Sequence, residues 1–123
     1  MEARDLLEEE KKAVEQEDYH LNPGIPLKRS VIVDISGGGL RFVSTQKYEE
    51  NSLIYCTYYL MLNGQKKKYE LVGKILSVKE IQGKAGTYEH RVQYVNLNVD
   101  EREEIIRYIF EEERKHRHKE VNR

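Results

Sequence analysis

Along the middle of this chain apolar and polar residues alternate, a period of two that belongs to strands with one buried face. Residues 27–35 read as a strand ending in the β-branched run Val31-Ile32-Val33, and residues 40–44 as a second strand. A longer strand over residues 53–62 stops at Asn63-Gly64, a pair that favours a two-residue hairpin turn. Residues 68–78 return from that turn. A looser connection, Gln82-Gly83-Lys84-Ala85-Gly86, leads to a last strand over residues 87–95. The pattern predicts an antiparallel meander curled into a small barrel.

The two ends follow a different rule. Residues 2–18 are mostly Glu, Lys, Leu and Ala, all good helix formers, with a thin stripe of Leu6, Leu7, Ala13 and Val14. They predict a helical N-terminal extension that is either solvated or packed on a partner subunit or on the C-terminal helix. Asn22-Pro23-Gly24-Ile25-Pro26 breaks the pattern as a turn. Near the other end, Asp100 with Glu103 three residues on reads as a capping box. Ile105, Ile106, Ile109 and Phe110 then supply an apolar face for the barrel mouth. The division expected is 1–26 as extension and turn, 27–112 as barrel with closing helix, and 113–123 as a charged tail.

Composition narrows the possibilities. One domain is the prior at 123 residues. Net charge is −1, which argues against a dedicated nucleic-acid binder, since such domains are usually strongly basic. No apolar run approaches the ~20 residues that span a bilayer, and no signal-peptide core follows the acidic start, so the expectation is cytoplasmic. The single cysteine, Cys56, lies in a strand-like apolar run and reads as a small buried residue. His20 and His90 lack ligand partners nearby in sequence, and His116 and His118 are two apart, which does not place them together on a helix. No metal site is expected. Lys66-Lys67-Lys68 reads as a solvated hairpin rim and the basic run 114–119 as a solvated helix end. Nothing combines a nucleophile with a base or makes a phosphate loop, so no enzyme is expected.

The most informative stretch is Asp34-Ile35-Ser36-Gly37-Gly38-Gly39. An Asp and a Ser two apart sit at a strand end, beside backbone free of side chains that a ligand can approach closely. This Asp-x-Ser-x-x-Gly pattern resembles the second signature of PilZ domains, the bacterial receptors for cyclic di-GMP. Downstream, Leu71-Val72-Gly73-Lys74-Ile75 is similar to the family's central strand with its glycine. Arg91-Val92-Gln93-Tyr94-Val95 resembles its last strand, and residues 101–110 its C-terminal helix. The resemblance spans about 31–110 and implies a six-stranded antiparallel β-barrel closed by that helix.

By the same resemblance, Asp34, Ser36 and Gly39 are ligand-binding positions, with Asp and Ser contacting guanine. An Arg-x-x-x-Arg motif before the first strand normally holds the phosphates and bases, a task suited to a planar, permanently charged group. No Arg-x-x-x-Arg occurs here. With a first strand at residues 14–21 the matching position falls near Lys11 and Lys12, opposed by Glu8, Glu9 and Glu10. Alternatively the strand is absent and the helix replaces it. Arg29 and Arg41, with Lys28, flank the glycine loop as partial substitutes. Two functions stay open: a cyclic di-GMP receptor acting on a protein partner in motility, pilus or exopolysaccharide machinery, or an adaptor of the same fold that works by protein contact alone. A homo-oligomer through the terminal helices is a further expectation.

Overall fold

A computed structural model describes residues 1–18 and 21–121, the last four by backbone alone. Seven strands and two helices follow in the order β1 (Glu2–Asp5), α1 (Glu8–Glu15), β2 (Lys28–Arg29), β3 (Val31–Ile35), β4 (Gly39–Ser44), β5 (Leu53–Leu62), β6 (Gln65–Glu80), β7 (Tyr88–Tyr94) and α2 (Val99–Val121). The strands form one antiparallel sheet in the order β2-β1-β5-β6-β7-β4-β3. The chain is therefore mainly β, but the sheet has seven strands, not six, and is a half-barrel. No ladder joins its edge strands β2 and β3, so it is not closed by hydrogen bonding.

Two corrections explain the count. The run 27–35 is not one strand: it splits at Ser30, whose N–H donates to Met1 O at 2.9 Å. Upstream of Ser30 the chain pairs with β1, and downstream with β4, at opposite edges of the sheet. The helix expected over 2–18 also splits. Residues 2–5 pair with β5, Ala3 opposite Cys56, and Ala3 is fully buried; tertiary pairing overrides their helix preference. Of the two alternatives for residues 14–21, the described residues there form no strand: Val14 lies in α1 and a turn follows at Gln16 and Glu17, while Tyr19 and His20 lie outside the described residues.

α1 packs on its own sheet and not on α2. Leu6 and Val14 cover Val72 of β6, with Leu21, Leu53 and Tyr55 around them. The side chain of Glu10 holds this corner. Its carboxylate accepts both guanidinium nitrogens of Arg4, at 2.7 and 2.8 Å, and the N–H groups of Leu7 and Asn22, each at 2.9 Å.

The main core lies inside the curl, where Phe42, Ile54, Cys56, Tyr69, Leu71, Ile75 and Val92 are all but fully buried. Asn63 and Gly64 form the hairpin turn with φ of 50° and 77°, the left-handed pair that Asn-Gly supplies readily. Burial pushes the Cys56 thiol up to about 12, as suits an inert core residue. α2 closes one end with Ile105 fully buried, flanked by half-buried Tyr108 and Ile109. Its N-cap is Asn98, not Asp100: Asn98 Oδ1 accepts the Glu101 N–H at 2.8 Å. Phe110 does not face the barrel and is 63% exposed, because at 100° per residue it lies about 140° round the helix from Ile105. Ile106, at about 100°, is 37% exposed. The charged segment from 113 continues α2 as far as Val121. Nor is the hairpin rim wholly solvated: Lys67 pairs with Glu104 of α2, whose carboxylate also accepts the Tyr69 O–H at 2.6 Å.

Candidate functional site

β3 and β4 meet in a tight connection closed by its own backbone. Ser36 N–H donates to Gly39 O at 2.8 Å, while Ser36 Oγ lies 3.1 Å from Gly39 O and accepts Gly39 N–H at 3.2 Å. Ser36 is thus committed to shaping the loop, with one lone pair left for anything else. Gly39 lies against β7: a Cβ there would sit 1.9 Å from Val92 O. Gly37 lies under α2, where a Cβ would meet Ile106 at 3.0 Å, with Arg102 alongside at 3.7 Å. Gly38 faces open space.

Beside this loop a cleft of ≈ 750 Å³ runs over the outer faces of β3, β4, β7 and β6. Its charged lining is Asp34, Arg41, Lys79, Glu89 and Arg91, three cations against two carboxylates. Arg41 and Arg91 stand directly opposite each other in the β4–β7 register. Like charges so placed repel, and the carboxylates offset this. The Arg41 guanidinium donates to Asp34 and to Glu89, each at 3.2 Å, with Arg41 46% and Asp34 61% exposed. Exposed pairs of this kind are worth only about 0–1 kcal/mol, so a ligand anion can take Arg41 over at little cost. Among the described residues, Arg91 makes no ion pair at all. A β-bulge at Leu76 bends β6 beneath the cleft and turns Leu76 and Ser77 into its lining.

The remaining candidate, Arg29, is elsewhere. It lies in β2 opposite Glu2 and lines a second cleft of ≈ 680 Å³ that shares no residue with the first. Asp34, Ser36, Gly39 and Arg41 are brought together, and Arg29 is not among them.

A comparison with protein-family models matches residues 13–111 to the family described as PilZ domain. The chain belongs to the PilZ family. The searches of curated proteins and of solved structures gave no match. PilZ domains are binding and adaptor modules of the cyclic di-GMP pathway, not enzymes. In this PilZ domain, strand β1, the first five residues of α1 and the part of α2 beyond residue 111 lie outside the matched segment. Among the described residues no group of three or more His, Cys, Asp or Glu is placed to hold a metal ion, and no helix is long and apolar enough to cross a membrane. His90 is a core residue, fully buried and stacked on Phe42 at 4.5 Å, with Nε2 accepting the Tyr48 N–H at 3.0 Å.

Reading the sequence missed Arg91, Lys79 and Gln93 as cleft residues. A signal for two of them was present. His90, Val92 and Tyr94 alternate with Glu89, Arg91 and Gln93, so the polar set shares the face opposite the core. What the alternation lacked was the register that sets Arg91 against Arg41.

Proposed function

We propose that this PilZ domain binds cyclic di-GMP in the cleft beside the glycine loop, in the cytoplasm, and passes the signal to a protein partner in motility, pilus or exopolysaccharide machinery. The observation that carries the reading is the in-register pair Arg41–Arg91 next to Asp34. Two guanidinium groups on neighbouring strands supply what a cyclic dinucleotide with two phosphates asks for: permanent charge, bidentate donors and flat surfaces for bases. Asp34 is placed to accept from a guanine edge once Arg41 turns to the ligand. Ser36 and Gly39 act by shaping the loop. Binding is weak, because no Arg-x-x-x-Arg lies in the chain.

Isothermal titration of the purified chain with cyclic di-GMP tests this. Heat of binding is expected, weakened by added salt. Arg91→Ala is expected to weaken it about tenfold or more, as loss of a charge-assisted bond does. Arg29→Ala is the control and leaves affinity unchanged. Absence of heat and of any melting shift at millimolar nucleotide would defeat the receptor reading. That result would favour the second one, an adaptor acting by protein contact alone, which the self-satisfied Ser36 hydroxyl supports.

A further inference from the structure

α2 carries a face that its own fold does not cover. Ile105, Tyr108 and Ile109 point to the core, while Val99, Ile106 and Phe110 are 71%, 37% and 63% exposed. These three recur at spacings of seven and four residues, so they form one stripe along the helix. Ile106 and Phe110 floor a shallow groove of ≈ 430 Å³ walled by Glu103, Arg107, Glu111 and Arg114.

The charges around this stripe have an order that suits one occupant. Arg102 and Glu103 lie just before Ile106, and Glu113 and Arg114 just after Phe110. Among the described residues none of these four makes an ion pair within the chain. Arg102 and Glu113 are eleven residues apart, three turns to within about 20°, so they share one flank of the stripe; Glu103 and Arg114 share the other.

Lay a second α2 against the first, end for end, about a twofold axis passing at position 108. Ile106 then meets the partner's Phe110, and Phe110 the partner's Ile106. On one flank Arg102 comes within a residue of level with the partner's Glu113, and on the other Glu103 with the partner's Arg114. Antiparallel helices bring like flanks together, so both pairings are of opposite charge, and symmetry doubles each. A parallel arrangement would instead set Ile106 on Ile106 and Phe110 on Phe110 and bring unlike flanks together, Glu103 beside the partner's Arg102, so that exchanging Glu103 with Arg114 would not restore it. We propose that the uncovered face of α2 is a homodimer interface, in which two copies of this chain pair their α2 helices antiparallel with Ile106 and Phe110 at the centre.

Sedimentation equilibrium of the whole chain, from micromolar to hundreds of micromolar, is the test. A monomer–dimer equilibrium is expected for the wild type. Phe110→Glu is expected to raise the dimer dissociation constant at least about tenfold, as removal of a central aromatic anchor does, with circular dichroism unchanged because the side chain is exposed. Glu103→Arg and Arg114→Glu should each weaken the dimer. Combined in one chain they should restore it to within about threefold of wild type, since the swapped charges again face each other. A wild type that stays monomeric throughout the range overturns the proposal. So does a dimer that survives Phe110→Glu, or a double exchange no tighter than either single one.

Discussion

Gly39 shows how a residue can be recognised as indispensable for a reason other than the one its neighbours suggest. Within Asp34-Ile35-Ser36-Gly37-Gly38-Gly39 it reads as room for a ligand. In the fold, its missing side chain is what allows β4 to lie against β7, for a Cβ would sit 1.9 Å from Val92 O and backbone cannot swing aside. Gly39→Ala is therefore expected to cost about 3 kcal/mol, the upper end of overpacking penalties, with or without nucleotide present. Gly38→Ala, which meets open space, is expected to leave the denaturant midpoint nearly unchanged. A chemical denaturation series on the two variants checks both; equal losses would mean that the loop, not the strand contact, sets the requirement. Asp34 and Ser36 were legible as a pair because local turn chemistry favours them. Their division of labour was not, since Ser36 turns inward to Gly39 and Asp34 outward to Arg41.

Among the elements, those specified by near neighbours in sequence were legible and those specified by distant ones were not. The β5–β6 hairpin follows from Asn63-Gly64 and the alternation on each side, so its turn was readable in advance. β1 was hidden because Glu2, Ala3 and Arg4 carry no strand preference of their own; β5 makes them a strand. The phase of α2 was half legible, its buried line at Ile105 and Ile109 being mixed in sequence with the outward line at Ile106 and Phe110. α1 owes its place to one buried ion pair, Arg4–Glu10, each side chain 6% exposed. Removing one partner strands the other charge. Glu10→Ala is expected to destabilise the domain by about 3–5 kcal/mol, whereas Arg4→Met with Glu10→Leu should recover only part of the loss, since the Leu7 and Asn22 N–H groups still lack their acceptor. Thermal or urea unfolding of the three proteins decides it, and additive losses would show that the pair does not act as a unit.

At the scale of the whole molecule, buried titratable groups set a window of pH. The Arg4 guanidinium beside Glu10 holds its carboxyl at about 2 instead of 4.5. The stability this lends is complete above 4.5 and drains away as pH falls towards 2. Burial keeps His90 neutral and its pKa below 6.5, so below that value the unfolded chain takes up a proton the folded one refuses, and stability declines. On the alkaline side burial raises Cys56 from 9.0 and Tyr48 from 10.0, each to about 12. Unfolding then releases protons the fold retains, and stability falls as pH rises past 9. Urea midpoints are expected to be highest between pH 7 and about 8.5 and to drop on both sides; a maximum below pH 6 would contradict the assignment of His90. The split of one extended run into β2 and β3 bears on how this molecule meets others. Unpaired strand edges ordinarily invite another chain to add on, by design in some complexes and by accident in aggregates. Here one edge is two residues long, and the other loses register at a bulge between Ile32 and Asp34. Along these two edges a visiting strand finds no continuous row of donors and acceptors to copy, so β-addition there is disfavoured for friend and amyloid alike, and association at either edge is left to side-chain surfaces.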